Sequence, residues 1–133
     1  MTVKENKALV RHVYDLLNRR EMDAYFSLFA PGFIFHNYIG DFNMDQTKQI
    51  DIDWYAAFPD LHATIEEMVA EGDKVAVRVN YKGTHLGQGY GWTPTGKKIN
   101  ILNANTFKII DGKLMEIWNV ADTLLFKQLG INP

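Results

Sequence analysis

The sequence contains no cysteine, which excludes disulfide bonds, thiolate nucleophiles and zinc sites built on cysteine. No histidine pair has the helical spacing of metal ligands, so we expect a protein without a metal. No apolar run approaches the roughly 20 residues that span a bilayer, and the amino terminus lacks the apolar core of a signal peptide. These absences predict a cytoplasmic protein without a membrane partner.

Neither sign of charge dominates the chain. Fourteen lysines and arginines stand against 16 aspartates and glutamates, which gives a formal net charge of -2. The basic residues occur in scattered pairs such as Arg19-Arg20 and Lys97-Lys98, and not in a stripe, so we expect no nucleic-acid partner. With 133 residues, 47% of them hydrophobic, the chain can build one core, and we predict a single domain over residues 1–133.

Apolar residues at helical spacing predict three helices in the first half of the chain. A capping-box pattern at Thr2 and Glu5 begins the first helix, which ends near Asn18. The second and third helices are predicted over residues 22–29 and 43–58. Each of them ends near a proline, which lacks the amide that a helix needs to continue.

After residue 62 the hydrophobic period changes to two, which is typical of half-buried strands. A glycine-rich segment over residues 87–96 interrupts this pattern, and we interpret it as a mobile flap at the mouth of a cavity, with Trp92 as a lid residue. Helices followed by strands predict an α+β fold, in which the three amino-terminal helices pack on one face of a curved antiparallel sheet. The predicted strands are 33–38, 64–70, 74–85, 99–109 and 114–119, and a short helix follows over 123–129.

The last two predicted strands carry three amides on faces that are otherwise apolar. Side chains alternate along a strand, so each of two sets shares one face: Asn103, Asn105 and Phe107 on the first strand, and Met115, Ile117 and Asn119 on the second. A few polar groups among apolar side chains are typical of a small-molecule pocket. The hairpin therefore predicts ligand binding.

Several short motifs have the order and spacing of a known family. They are Phe58-Pro59-Asp60-Leu61-His62, Gly83-Thr84-His85-x-Gly87, Pro94-Thr95-Gly96-Lys97, Asp111-Gly112-Lys113-x-x-Glu116-x-Trp118, and Asp122 with Gln128-Leu129-Gly130. Over nearly the whole chain they resemble the SnoaL-like polyketide cyclase and ester cyclase group of the nuclear transport factor 2-like superfamily. The resemblance implies a cone, in which a strongly curved antiparallel sheet wraps around the helices and encloses a ligand cavity, and it implies a homodimer.

In the aldol cyclases of this family, a carboxylate on the last long strand acts as both acid and base. The resemblance puts Asn119 at the position of that carboxylate, with Asn103 and Asn105 at supporting positions. An amide takes no proton at neutral pH, so Asn119 can polarise a carbonyl but cannot be the base.

A base would have to be a histidine or another carboxylate, and each candidate also has a structural reading. His85 has the parity of the apolar positions of its strand, so we expect it in the pocket wall as the candidate base, although a histidine at a strand end often binds backbone. His36 falls on the face opposite Phe33 and Phe35 unless a bulge reverses it. The other candidates are His62, Asp60, expected to bind backbone amides in a turn, and Asp122, expected to cap the last helix.

Aromatic and apolar side chains complete the predicted pocket. Tyr14 and Trp54 lie on helices that should close the cavity, and they can present a hydroxyl or an indole N–H to a carbonyl. The predicted ligand contacts are Tyr14, His36, Trp54, Phe58, Trp92, Asn105, Phe107 and Ile117, beside catalytic roles for His85, Asn103 and Asn119.

These residues favour a cofactor-free cyclase or isomerase that acts on a small, apolar carbonyl compound in an enclosed pocket. The alternative is a non-catalytic binding or accessory protein of the same fold, because Asn119 replaces the acid–base carboxylate. An ionisable side chain inside the cavity would distinguish the enzyme from the binding protein.

Overall fold

The computed structural model describes residues 2–131 and contains four helices and six strands in that range. The first helix begins as its capping pattern predicts, because Thr2 Oγ1 accepts a hydrogen bond from the Glu5 amide at 3.1 Å. The elements are α1 Val3–Asn18, α2 Met22–Phe26, β1 Phe29–His36, β2 Asp41–Phe42, α3 Met44–Ala57, β3 His62–Glu71, β4 Lys74–Thr84, β5 Lys98–Ile110, β6 Lys113–Val120 and α4 Leu124–Leu129.

The second helix is shorter than its pattern predicts. It ends at Phe26, and Pro31 lies inside β1 instead of terminating the helix. The pairing of β1 with β6 shifts register between Phe29 and Ile34, so Pro31 lies at an irregularity where its missing amide is tolerated. The third helix matches the prediction closely, with a capping box formed by Asn43 and Gln46.

The six strands form one open, curved sheet in the order β2-β1-β6-β5-β4-β3. All neighbours are antiparallel except β1 and β6, which run parallel with Ile34 opposite Glu116. The sheet predicted as antiparallel thus contains one parallel pair, which the sequence did not indicate because strands far apart in sequence leave no sign of their pairing in local periodicity. The two-residue strand β2 was also not predicted.

A β-bulge in β6 changes which side chains face the core. Phe107 pairs with Ile117, but the register shifts at the next residues, so that Ile109 pairs with Leu114 and Met115 has no partner. Leu114 is consequently fully buried, whereas Met115 is only half-buried. The prediction that Met115 shares the inner face with Ile117 is therefore wrong, because the extra residue reverses the alternation at this point.

The helices cover one face of the sheet and create the space for the cavity. Helix α1 packs on β3 and β4, α3 packs on β1, and α4 packs on β5. The core beneath α1 joins Val10, Val13 and Leu17 to the inward residues of β4. Among the helices of residues 2–131, none combines the length and the apolar character needed to cross a bilayer.

The glycine-rich segment is fastened to helix α3, in contrast to the mobile flap that the sequence predicts. We call its first part, residues 87–92, the strap. The Gly87 amide donates to the Ala57 carbonyl at 3.1 Å, and the Tyr90 hydroxyl donates to the Ile50 carbonyl at 2.8 Å. A Cβ at Gly87 or Gly89 would overlap carbonyl oxygens of α3, so only glycine permits this close approach.

Candidate active site

A cavity of about 420 Å³ lies between the helices and the inner face of the sheet. Its exposed rim includes Tyr38 and Ile39 of the β1–β2 turn and Tyr90 of the strap. Most of the site residues predicted from the sequence line this cavity: Tyr14, Trp54, Trp92, Asn103, Asn105, Phe107, Ile117 and Asn119. Their ability to bind a ligand stays a prediction.

His85 lies outside this cavity wall, contrary to the predicted pocket position. Its ring is fully buried beside Phe58 and Trp92, with ring-centroid distances of 5.3 and 6.2 Å. The Thr95 amide donates to His85 Nδ1 at 3.2 Å, and burial lowers the pKa of the imidazole. His85 therefore fixes the loop after β4 through its backbone contact, which is the structural alternative that a histidine at a strand end suggested.

His36 and Phe58, both predicted ligand contacts, also lie outside the wall. The two ring nitrogens of His36 contact Asp41 Oδ1 at 2.7 Å and Glu116 Oε2 at 2.8 Å. The ring stacks on Trp118 and lies on the face of β1 opposite to Phe35, as regular alternation requires. Phe58 is fully buried and packs edge-on against Trp54, so it supports the wall without reaching the cavity.

Two further carboxylates have the structural roles that the sequence indicates. Asp60 accepts hydrogen bonds from the amide and the hydroxyl of Thr84, at 2.7 and 2.8 Å, and so ties β4 to the turn before β3. Asp122 lines the cavity, but its carboxylate accepts from the Leu124 amide at 2.9 Å at the start of α4. His62 is exposed at the start of β3 and does not line the cavity.

The predicted amides form a directed chain of hydrogen bonds across the cavity wall. Asn119 Nδ2 donates to Asn105 Oδ1 at 2.6 Å, and Asn105 Nδ2 donates to the Tyr14 hydroxyl oxygen at 2.8 Å. Burial raises the pKa of Tyr14 well above its ordinary value, so its hydroxyl remains a neutral donor. Asn103 stands apart, because its Oδ1 accepts from the Asp122 amide at 3.0 Å.

Asp51 is an ionisable cavity residue that the sequence reasoning missed. It lies in the middle of α3, and within residues 2–131 its buried Oδ2 has no hydrogen-bond partner. Burial raises the pKa of Asp51 to about 7, and interaction with the Tyr25 hydroxyl offsets part of this effect. The available signal was helical spacing, because Asp51 falls four residues from Thr47 and from Tyr55, which are both buried.

The surroundings of Asp51 contain tyrosines and no counter-ion. None of the described residues that line the cavity is a lysine, an arginine or a histidine. Tyr25, Tyr55 and Tyr90 line the same cavity as Asp51, and burial first, then the negative charge of Asp51, raise the pKa of each. Over the described residues there is also no cluster of three or more acidic, histidine or cysteine side chains that could hold a metal.

The open, curved sheet with helices on one face has the nuclear transport factor 2-like α+β fold, and the cavity lies between these two layers. The family model of the SnoaL-like polyketide cyclases matches residues 7–129, and the chain belongs to that family. A comparison with curated proteins gave no match.

Solved structures with the same fold come from several bacteria. AclR from Streptomyces galilaeus is 26% identical, with a TM-score of 0.91 over 99% of this chain and 100% of its own. IdmH from Streptomyces antibioticus is 25% identical, with a TM-score of 0.81 over 95% and 99%. TsrD from Streptomyces laurentii is 22% identical, with a TM-score of 0.85 over 99% of each chain, and this likeness concerns the fold alone.

Proposed function

We propose that this protein is a cofactor-free enzyme of the cyclase or isomerase type, acting on a small, apolar carbonyl compound in the cavity. The observation that carries the proposal is the buried, unpartnered Oδ2 of Asp51 in an apolar wall. A buried carboxylate oxygen without a hydrogen-bond partner is destabilising, so its presence in a cavity favours a functional role over a structural one. Asp51 takes the role of base that the sequence suggested for His85.

The pKa of Asp51 suits proton transfer near neutrality. A general acid–base group is most effective when its pKa lies near the working pH, and burial raises the pKa of Asp51 to about 7. At that pH the carboxylate and the carboxylic acid are both populated. The same side chain can therefore remove a proton from the substrate and return it at a later step.

The amide chain supplies the complementary electrophilic group. Because Asn105 Nδ2 donates to the Tyr14 oxygen, the Tyr14 proton is free to be donated to an acceptor other than Asn105. In our proposal the Tyr14 hydroxyl and the second N–H of Asn119 polarise the carbonyl of the substrate. Donors aimed at a developing oxyanion stabilise it more strongly in a dry cavity than in water.

The proposed step is removal of a proton from the carbon next to the carbonyl. Asp51 accepts this proton, the C–H electron pair becomes the enolate, and the negative charge moves to the oxygen that Tyr14 and Asn119 face. The enolate carbon then attacks a second carbonyl, which gives a cyclase, or is reprotonated elsewhere, which gives an isomerase. AclR is described as a candidate hydroxylase and IdmH as a candidate polyketide cyclase, so the relatives support the class of site and leave the reaction open.

Deuterium exchange tests the proton-transfer step without knowledge of the natural substrate. The protein is incubated in D2O with 1-tetralone, a small apolar ketone, and α-deuteration is followed by mass spectrometry. We expect exchange above the buffer rate, and we expect Asp51→Asn to lower the enzymatic rate at least about 100-fold. Asp53→Asn, on the same helix but outside the cavity wall, is the matched control and should retain the rate. Exchange that survives in Asp51→Asn would refute the role of Asp51.

A second candidate function is ligand binding without chemistry. The observation that favours it is Asn119, which stands where the resemblance expects the acid–base carboxylate of the family. In that case the cavity would bind apolar ketones, and the unaltered protein would show no deuterium exchange above the buffer rate.

A further inference from the structure

The charged side chains in and near the cavity wall indicate which class of ligand the cavity binds. Asp51 has a buried oxygen without a partner, and the wall contains no basic side chain among the described residues. Arg20 approaches this region, but its guanidinium stacks on the Tyr55 ring at 4.5 Å and donates to the carbonyls of Leu17, Asn18, Pro59 and Leu61. Because these contacts occupy Arg20, it does not serve as a counter-ion of Asp51.

The wall around Asp51 is rich in aromatic rings, which attract cations through their faces. Tyr25, Trp54, Tyr55, Tyr90 and Trp92 all line the same cavity as the carboxylate. A cationic nitrogen over an aromatic face is attracted by the negative face of the ring, and the attraction is stronger where water is excluded. A carboxylate and several aromatic rings together favour a cation over a neutral group of the same shape.

We infer that the cavity binds compounds that carry a cationic nitrogen on an apolar body, with the cation against the Asp51 carboxylate and the surrounding rings. This inference names the ligand class of the site in the proposed function, and it rests on that function for the identity of the site. A positive charge near a carbonyl also makes the neighbouring C–H bond more acidic. Pairing with Asp51 and proton transfer to Asp51 are therefore compatible in one substrate.

The other carboxylate of the wall is less available to a cation. Asp122 accepts hydrogen bonds from the Leu124 amide at 2.9 Å and the Leu102 amide at 3.4 Å, so its charge is directed to the backbone. Asp51 interacts with the Tyr25 hydroxyl, but its buried Oδ2 has no partner among the described residues. Selectivity for a cation should consequently depend on Asp51.

A pair of probes that differ only in charge provides the test. Benzyltrimethylammonium and its uncharged isostere neopentylbenzene are titrated into the protein, and tryptophan fluorescence gives the Kd of each at pH 8.5 and pH 5.5. At pH 8.5 we expect the cation to bind at least about tenfold more tightly than the isostere. Equal affinities at pH 8.5 would overturn the inference.

The pH dependence gives a second test that needs no variant. At pH 5.5 the Asp51 carboxylate is protonated, since its pKa lies near 7, so the preference for the cation should fall to about twofold or less. The tyrosines that face Asp51 from α1, α2, α3 and the strap are Tyr14, Tyr25, Tyr55 and Tyr90; their raised pKa values keep them neutral at both pH values. An unchanged preference at pH 5.5 would contradict the role of Asp51.

The variant arm separates this inference from the proposed function. Asp51→Asn should lose the preference for the cation at pH 8.5 while keeping its affinity for neopentylbenzene, and Asp53→Asn should behave as the unaltered protein. If the unaltered protein shows deuterium exchange but no preference for the cation, the ligand class is refuted and the enzyme stands. Selective cation binding without any exchange would support the ligand class and refute the chemistry.

Discussion

Asn119 donates a hydrogen bond to Asn105 at 2.6 Å, and the two residues stand directly opposite each other on β6 and β5. This cross-strand pair sets the direction of the chain that ends at Tyr14. Asn105 is the central member, because its amide group serves both neighbours. Its removal would leave a donor on Asn119 and the Tyr14 oxygen without their partner.

We therefore expect Asn105→Ala to destabilise the protein by about 1–3 kcal/mol, the usual penalty for buried groups that lose their partners. Urea unfolding measures this difference. The matched control is Asn80→Ala, since Asn80 also hydrogen-bonds to an asparagine across strands, Asn100, but on the more exposed side of the sheet. A cost at Asn105 no greater than the cost at Asn80 would contradict the buried network.

Asp51 should make the protein less stable as pH rises. An ion-paired carboxylate has the opposite effect, because its contribution is lost as pH falls. Its pKa in the folded state is about 7 against an ordinary value of 3.8, so the folded protein binds the extra proton between these values. The contribution of Asp51 to the free energy of unfolding is then fully present below about pH 4 and falls by up to about 4 kcal/mol as pH rises toward 7. Asp51→Asn removes this loss.

Urea unfolding at several pH values checks this expectation. The advantage of Asp51→Asn over the unaltered protein should grow from pH 4 to pH 8 and then level off. Parallel pH profiles for the two proteins would show that Asp51 titrates in its ordinary range. Asp53→Asn should give no such divergence.

The contact between the strap and α3 predicts a contrast between two glycines. Gly87→Ala adds a methyl group that overlaps the Ala56 carbonyl oxygen, and neither backbone can move away without breaking the bond from the Gly87 amide to Ala57. We expect a loss of about 2–4 kcal/mol, at or above the usual range for overpacking. Gly40→Ala meets no atom within 4 Å and should change stability by less than about 1 kcal/mol. Thermal unfolding of both variants measures the contrast.

The bulge in β6 predicts which of two adjacent side chains supports the core. Leu114→Ala should cost about 2–5 kcal/mol, because Leu114 is fully buried, whereas Met115→Ala should cost less than about 1.5 kcal/mol. Regular alternation from Ile117 would give the reverse order. Guanidinium unfolding of the two variants therefore tests the register of this strand directly.

His36 should stabilise the rim of the cavity through hydrogen bonds whose strength depends on pH. Hydrogen bonds with Asp41 and then Glu116 raise the pKa of His36, so the imidazolium joins β1, β2 and β6. This contribution is fully present below the ordinary pKa of histidine, about 6.5, and is lost as pH rises through the raised value. Asn37 and Tyr38, which line the cavity, follow His36 immediately.

Amide hydrogen exchange at Asn37 measures how strongly His36 stabilises the rim. The Asn37 N–H donates to the Gly40 carbonyl at 3.0 Å. Protection at Asn37 should decrease as pH rises through the pKa of His36, after correction for intrinsic exchange. His36→Phe keeps a ring on Trp118 but removes both carboxylate contacts, and it should abolish the change. Persistence of the change in His36→Phe would assign it to another group.

The sequence was sufficient for the features that depend on local pattern. The capping residue Thr2 marks the start of α1, apolar spacing locates α3, and alternation identifies β4 and β5 almost to the residue. The same alternation places Asn105 and Asn119 on the cavity wall. These features are local, because each is decided by residues within one element or one hairpin.

Features that depend on distant partners were not predictable in this way. The parallel pairing of β1 with β6 and the bulge at Met115 arise from strand register, which local periodicity does not specify. Asp51 was not among the candidate bases, although its spacing of four residues from the buried Tyr55 indicated the inner face of α3. His85 has the correct parity for the interior, but parity does not distinguish the cavity from the solid core beside it.

The parallel pairing of β1 with β6 affects the order in which this chain can fold during translation. Ile34 emerges on the order of 80 residues before Glu116, the residue that it must face, so the phenylalanine-rich first strand waits for most of the domain to be translated. Until then its inner face, with Phe29 and Phe33, is available to chaperones or to other nascent chains. The strand that carries Asn119 to the cavity wall is thus also the strand whose synthesis ends the exposure of the nascent chain.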